Sequence, residues 1–131
     1  MSSIFTQIIA GKIPAYKIAE NDQFFAFLDI RPVAKGHALV VPKQEIDYLF
    51  DIDDQLLAEL ILYAKRVAIA MKKVIPCEKI GVTVLGLEVR HAHVHLVPLD
   101  ETGIIDFKKP RLEFSPEQYK DLAAKINENF Y

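Results

Sequence analysis

The run Arg90-His91-Ala92-His93-Val94-His95-Leu96-Val97-Pro98 sets three histidines at strict period two. Only an extended chain keeps such residues together, because a strand alternates its side chains while a helix would scatter the three imidazoles around its axis. The spacing therefore predicts a strand over 91–98. His91, His93 and His95 project from one face, and Ala92, Val94 and Leu96 project from the other, where a helix can bury them.

One histidine on a strand face is ordinarily a surface residue; three in register mark a functional face. Imidazoles side by side repel when protonated, so this arrangement favours neutral rings near pH 7. A neutral imidazole can attack phosphorus and form a covalent intermediate that water resolves, while its neighbours hydrogen-bond phosphate oxygens or carry a proton to the leaving group. Three histidines can also hold zinc with one open position. Successive same-side residues on one strand form a row and not a tripod, so zinc would need His37, the remaining histidine, or a carboxylate from elsewhere. The nucleophile reading is favoured.

The rest of the chain supplies elements to cover such a strand. Ser3 is placed to cap a short helix over 4–10, with Ile4, Phe5, Ile8 and Ile9 on one stripe and Gly11 ending it. Short β-like runs follow at 16–20 and 24–28, split by Asn21-Asp22, and at 37–41, stopped by Pro42. Asp51, Asp53 and Asp54 suit the start of a long helix, in which Leu56, Leu57, Leu60, Ala64, Val67, Ala68 and Met71 keep a buried spacing. Lys72 and Lys73 sit near its end, and Pro76 closes it. A strand over 79–85 precedes the histidine run. Ser115-Pro116-Glu117-Gln118 signals a last helix. Short adjacent strands favour antiparallel pairing with helices on one face, an α+β fold.

The 131 residues contain no repeat or long linker and predict one domain over 1–131. With 16 basic and 18 acidic side chains, the charge of −2 argues against affinity built on a nucleic-acid backbone. Cys77 is alone, so neither an internal disulfide nor a cysteine zinc site is available. The apolar stretch 56–71 is broken by Glu59, Lys65 and Arg66, which excludes a membrane span there, and residues 1–5 lack a basic leader. A cytoplasmic protein is expected.

Three further stretches extend the pattern: Ile4-Phe5 with Ile8-Ile9, Gly11 and Ile13-Pro14-Ala15; Ala26-Phe27 with Asp29-Ile30 and Pro32; and Gly36-His37 with Leu39-Val40 and Pro42-Lys43. In order, and together with the histidine run, they resemble the histidine triad (HIT) family of nucleotidyl hydrolases and transferases over about residues 4–99, leaving 100–131 as a C-terminal extension with its helix. The similarity is greatest to the small purine-nucleoside phosphoramidase branch. The resemblance implies a five-stranded antiparallel sheet, continuous across a homodimer. It implies His93 as nucleophile toward the α-phosphorus of a nucleoside phosphoramidate or related nucleotide, with His91 and His95 flanking it and His37 in support. Asp29 matches the residue that binds the ribose hydroxyls, and Phe5, Ile8, Phe27 and Ile30 match the base and ribose pocket; Glu88 and Val89 fall beside the phosphate. The implied partner is a purine nucleotide such as AMP or GMP, with no cofactor. Dinucleoside polyphosphate hydrolysis, or nucleotide binding with little turnover, are the alternatives.

The chain also departs from that pattern. Leu87 and Glu88 stand where relatives carry a glutamine and a serine, and Glu45 stands where relatives often have a histidine. Ser2, Ser3 and Thr6 occupy the region where some relatives have zinc-binding cysteines, so no structural metal is expected. The long helix carries Ile61, Leu62, Val67 and Ile69 around its girth, apolar surface to be covered either by a second copy or by the sheet and terminal helix.

Overall fold

Alternating and fully apolar runs become five strands, and the two helical stripes close one side of them. The computed structural model describes residues 2–131. Helix α1 (Ile4–Ile9) is followed by β1 (Lys17–Glu20), β2 (Phe24–Leu28), β3 (Ala38–Pro42), α2 (Asp54–Val74), β4 (Lys79–Thr83), β5 (Val94–Leu99) and α3 (Pro116–Glu128). The strands form one antiparallel sheet in the order β1-β2-β3-β5-β4. The α+β architecture is the one expected.

Each helix end follows its chemistry. Asp53 caps α2 by accepting the Leu56 N–H at 3.0 Å, Asp54 lies in the first turn, and Lys72 and Lys73 occupy the last. Asp51 instead belongs to a short 3₁₀ turn, Leu49–Asp51, ahead of the helix. Ser115 and Gln118 form the reciprocal capping box of α3, with Pro116 in its first turn. Tyr16 leaves β1 to stack on Tyr119 of α3, ring centroids 4.7 Å apart.

β2 and β3 are buried on both faces because each face has its own cover. Phe24, Ala26, Leu28, Ala38 and Val40 join Leu60, Tyr63, Val67 and Met71 of α2 and Tyr119, Ala123 and Ile126 of α3. On the opposite face Phe25, Phe27, Leu39 and Val41 pack around Phe5 of α1, with Ile8 and Val89 against them. Val67 is fully buried, so it leaves the outer surface of α2, while Ile61, Leu62 and Ile69 stay exposed. Among the described residues no helix is long and apolar enough to cross a membrane.

The strand expected over 91–98 starts three residues late, at Val94. The β3–β5 ladder ends at Val40 opposite Val94. Before it the backbone finds other partners: Ala92 N–H donates to the Ile46 carbonyl at 2.7 Å, and the His91 carbonyl accepts from an imidazole. Alternation nevertheless survives, since Ala92, Val94 and Leu96 all enter the helix-side core. β4 likewise stops at Thr83, two residues short of the expected end. Pro42 closes β3 from within, paired with Phe24; among the described residues no strand pairs with it on its other side, so its missing N–H costs no ladder bond there.

Candidate functional site

His37, His91, His93 and His95 are all at least nine-tenths buried, on the sheet face opposite α2 and α3. They arrive by three local devices. His37 follows Gly36, whose φ of +88° suits glycine, and a Cβ at that position would lie 2.1 Å from Ile75 Cδ1. His95 lies in the β5 ladder, opposite Leu39 and Thr83. His91 and His93 lie in the irregular segment before it, with the Phe5 ring edge-on to both at centroid distances of 5.8 and 4.9 Å.

Hydrogen bonds assign a proton to every ring, because a carbonyl can only accept and a backbone N–H can only donate. His93 Nδ1 lies 2.7 Å from the His91 carbonyl oxygen, so it carries the proton, and the lone pair of the neutral ring is on Nε2. His91 Nε2–H donates to the Pro42 carbonyl at 2.7 Å, the acceptor left over where the ladder ends, and its Nδ1 accepts from Ser3 Oγ–H at 2.7 Å. Val33 N–H donates to His37 Nδ1 at 3.1 Å, so His37 Nε2–H donates to His95 Nδ1 at 2.9 Å. His95 therefore keeps its proton on Nε2. The row offers one free lone pair, on His93, beside one N–H donor, on His95, whose rings meet edge-to-face at 4.8 Å.

Electrostatics disfavour the charged form of three of these rings, His37, His93 and His95. Burial pushes His37 down to about 4, assisted by Arg111 and His93, and pushes His95 down to about 3, assisted by His93 and His37. Burial also lowers His93, partly opposed by its bond to the His91 carbonyl.

Asp29 follows β2. Its Oδ1 accepts the Arg31 N–H at 2.8 Å, and its Oδ2 lies 3.6 Å from His37 Nε2. Asp29, His37 and His95 are the metal-capable donors that converge among the described residues, within 4.8 Å of one another; the three triad histidines do not form such a cluster. His37 Nε2 and His95 Nδ1 already share a proton there.

Phe5 and Phe27 are buried edge-to-face at 5.6 Å, with Ile8 and Val89 partly buried in the same cluster. Ile30 departs from this group and is 68% exposed. Glu88 is exposed, on a shallow cleft with Ser3, Ile4, Glu45, Val89 and Arg90. A separate groove between the 32–36 turn and α3 is lined by Asp29 and His37 but by none of His91, His93 or His95.

Two contributors escaped the sequence reading. The segment between β5 and α3 crosses back over the histidines and places the Phe107 ring 4.9 Å from His95 and 5.9 Å from His37. Arg111 lies over Phe107 at 5.0 Å and donates to the carbonyls of Arg31 and Phe107. No periodicity marks this segment, and among its aromatic and basic residues (Phe107 and Phe114; Lys108, Lys109 and Arg111) no spacing singles out Phe107 and Arg111.

The HIT domain family matches residues 10–102. Among curated proteins, the adenosine 5'-monophosphoramidase HNT1 of Saccharomyces cerevisiae is 36% identical over 129 aligned residues, covering 94% of this chain and 82% of that protein. The corresponding adenosine 5'-monophosphoramidase of Schizosaccharomyces pombe is 35% identical and covers 97% of each. Among solved structures, a Hit-like protein of Bartonella henselae superposes with a TM-score of 0.85 at 30% identity, covering 98% of this chain and 96% of that one. With four buried imidazoles wired together on one sheet face and a match across most of its length, this chain belongs to the HIT domain family.

Proposed function

We propose that this single-domain chain hydrolyses purine nucleoside phosphoramidates at the α-phosphate, through a nucleotidyl intermediate on His93. The observation that carries the reading is the proton assignment of the row: His93 has its Nδ1 proton tied to the His91 carbonyl and its Nε2 lone pair free. Nε2 attacks phosphorus, and the P–N bond breaks with its electron pair going to the amine, which takes up a proton from solvent that the later attack by water returns. Water then displaces the imidazole and releases the monophosphate, AMP or GMP. His95 Nε2–H supplies a hydrogen bond to the phosphate oxygens, which gain charge in the transition state. His37 holds His95 in the tautomer that leaves this donor free, and His91 holds the backbone that orients His93.

In the same reading Asp29 accepts from the ribose hydroxyls, while Phe5, Ile8 and Phe27 wall the base and ribose pocket. Ile30, exposed in the lone chain, reaches a nucleotide only from the rim, and Glu88 and Val89 border the phosphate end. Exposed Ile61, Leu62 and Ile69 on α2, with Val82 on the edge strand β4, support a homodimer whose sheets join at β4. A cytoplasmic location fits a nucleotide substrate.

Mass spectrometry of enzyme quenched within milliseconds of mixing with adenosine 5'-phosphoramidate tests the proposal. A nucleotidyl adduct on His93 is expected; steady turnover with no adduct on any histidine would overturn it. Diadenosine polyphosphate in a parallel assay reads the alternative leaving group. A binding protein with little turnover is the second reading, favoured by Leu87, which is exposed and has no proton to offer a leaving amine, and by the exposed carboxyl side chain of Glu88 beside it.

A further inference from the structure

Ser3 is an unusual helix cap, because its hydroxyl serves two partners. Its Oγ accepts the Thr6 N–H at 3.0 Å, the ordinary capping bond of α1. The same atom lies 2.7 Å from His91 Nδ1, and since His91 Nε2–H is committed to the Pro42 carbonyl, the hydroxyl proton must be the one that fills this contact. Thr6 Oγ1 is 3.5 Å from the same nitrogen, too far to replace it.

Glu45 fastens the other side of the cap. One carboxylate oxygen, Oε1, accepts both the Ser3 N–H at 2.7 Å and the Thr6 hydroxyl at 2.6 Å, bonds that hold its carboxyl below the usual carboxylate range. These two contacts tie residues 3 and 6 to position 45 across the mouth of the shallow cleft, next to Val89 and Arg90. A continuous chain of bonds thus runs from Glu45 through Ser3 to the fully buried His91 ring and on to Pro42. The carbonyl of that same His91 receives the Nδ1 proton of His93. A ring pinned at both nitrogens leaves its own peptide group little freedom to turn.

We propose that Ser3, held by Glu45, is a positioning residue for His93: by donating to His91 Nδ1 it fixes the His91 ring and peptide, and so the tautomer and aim of His93. The proposal rests on His93 being the nucleophile, and it goes beyond a capping role for Ser3. A cap needs only an acceptor or a permissive backbone, whereas positioning needs a donor.

Ser3→Gly separates the two, since glycine caps nearly as well as serine but has no proton to give. In Ser3→Gly the turnover of adenosine 5'-phosphoramidate should fall about 10- to 100-fold, with AMP affinity and melting temperature little changed. Ser3→Thr, which keeps the hydroxyl, should stay within about threefold of the starting rate. Glu45→Ala should show a smaller loss of the same kind. Long-range ¹H–¹⁵N spectra of the histidine rings read the effect without turnover: a single Nδ1–H tautomer at His93 in the unaltered protein should become a mixture in Ser3→Gly. Unchanged kcat and unchanged ring spectra in Ser3→Gly would overturn the proposal, as would a loss that Ser3→Thr shares. If the unaltered protein turns over no phosphoramidate, the functional reading fails by itself, and the ring spectra still decide the role of Ser3.

Discussion

Nδ1 of His93 lies 2.7 Å from the carbonyl oxygen of His91, two residues earlier in the same chain. A peptide oxygen, and not a carboxylate, therefore sets the tautomer of the proposed nucleophile. The distinction matters chemically. A carboxylate would stabilise the imidazolium and raise the basicity of the ring, whereas a neutral carbonyl beside a buried ring leaves burial to dominate and keeps it uncharged. A nucleophile that must meet an anionic phosphate gains from this, because a large fraction is ready to react at neutral pH.

His93→Ala should abolish turnover of adenosine 5'-phosphoramidate while AMP still binds within about threefold, since the ring supplies the bond to phosphorus and only part of the pocket wall. Single-turnover kinetics and calorimetric titration with AMP check the two halves. Activity near that of the unaltered chain would remove His93 from the role.

The acid limb of the pH–rate profile should lie below the ordinary histidine value of 6.5, because the reactive form is neutral His93 and burial lowers its pKa. Stability carries the same signature. His37, at about 4, and His95, at about 3, resist protonation when folded, while in the unfolded chain each takes a proton near 6.5. Their folded pKa values are depressed, so stability is full above 6.5 and is lost as pH falls from there toward 4 and 3. The His37 shift alone corresponds to about 3 kcal/mol when fully expressed. Urea midpoints at pH 7.5 and pH 5 should differ in that direction, and a His37→Asn variant should show a shallower dependence.

The histidine run was readable because alternation is a backbone property: Ala92, Val94 and Leu96 enter the helix-side core although only Val94 and Leu96 belong to the strand. What spacing could not supply was the end of the ladder. That depends on where Ala92 N–H and the Pro42 carbonyl find partners, contacts separated by more than forty residues of chain. Helix limits were legible for a related reason, since Ser3, Asp53 and Ser115 act within three residues of themselves. The outward turn of Ile30 was not legible, because the match of Asp29-Ile30 to a pocket motif carries no information about which of two neighbours faces solvent. Phe107 and Arg111 were invisible, since they act through a crossing whose path no local pattern encodes.

Asp29→Ala should weaken binding of AMP more than that of 2'-deoxy-AMP, by about 1.5–3 kcal/mol of difference, the worth of a hydrogen bond to a charged acceptor. Asp29 Oδ1 is already engaged by the Arg31 N–H, which leaves Oδ2 for a ribose hydroxyl. Parallel calorimetric titrations with the two nucleotides measure the difference. Equal losses would make Asp29 a residue of the 29–37 turn and not a ligand contact.

Phe107→Ala should raise the His95 pKa from about 3 toward 6.5, because the ring 4.9 Å away helps keep water from the imidazole. His37, 5.9 Å from the same ring, should move less. Phe107 is partly buried, so the loss of stability should fall below the ~3–5 kcal/mol of a fully buried phenylalanine. Arg111 opposes protonation of both rings and loses its aromatic partner in the variant, which should add to the upward drift as the guanidinium moves toward solvent. An NMR titration of the four histidine side chains tests this. An His95 signal that still resists protonation at pH 4 in Phe107→Ala would show that the sheet and the neighbouring imidazoles alone exclude water, and that the crossing segment only covers them.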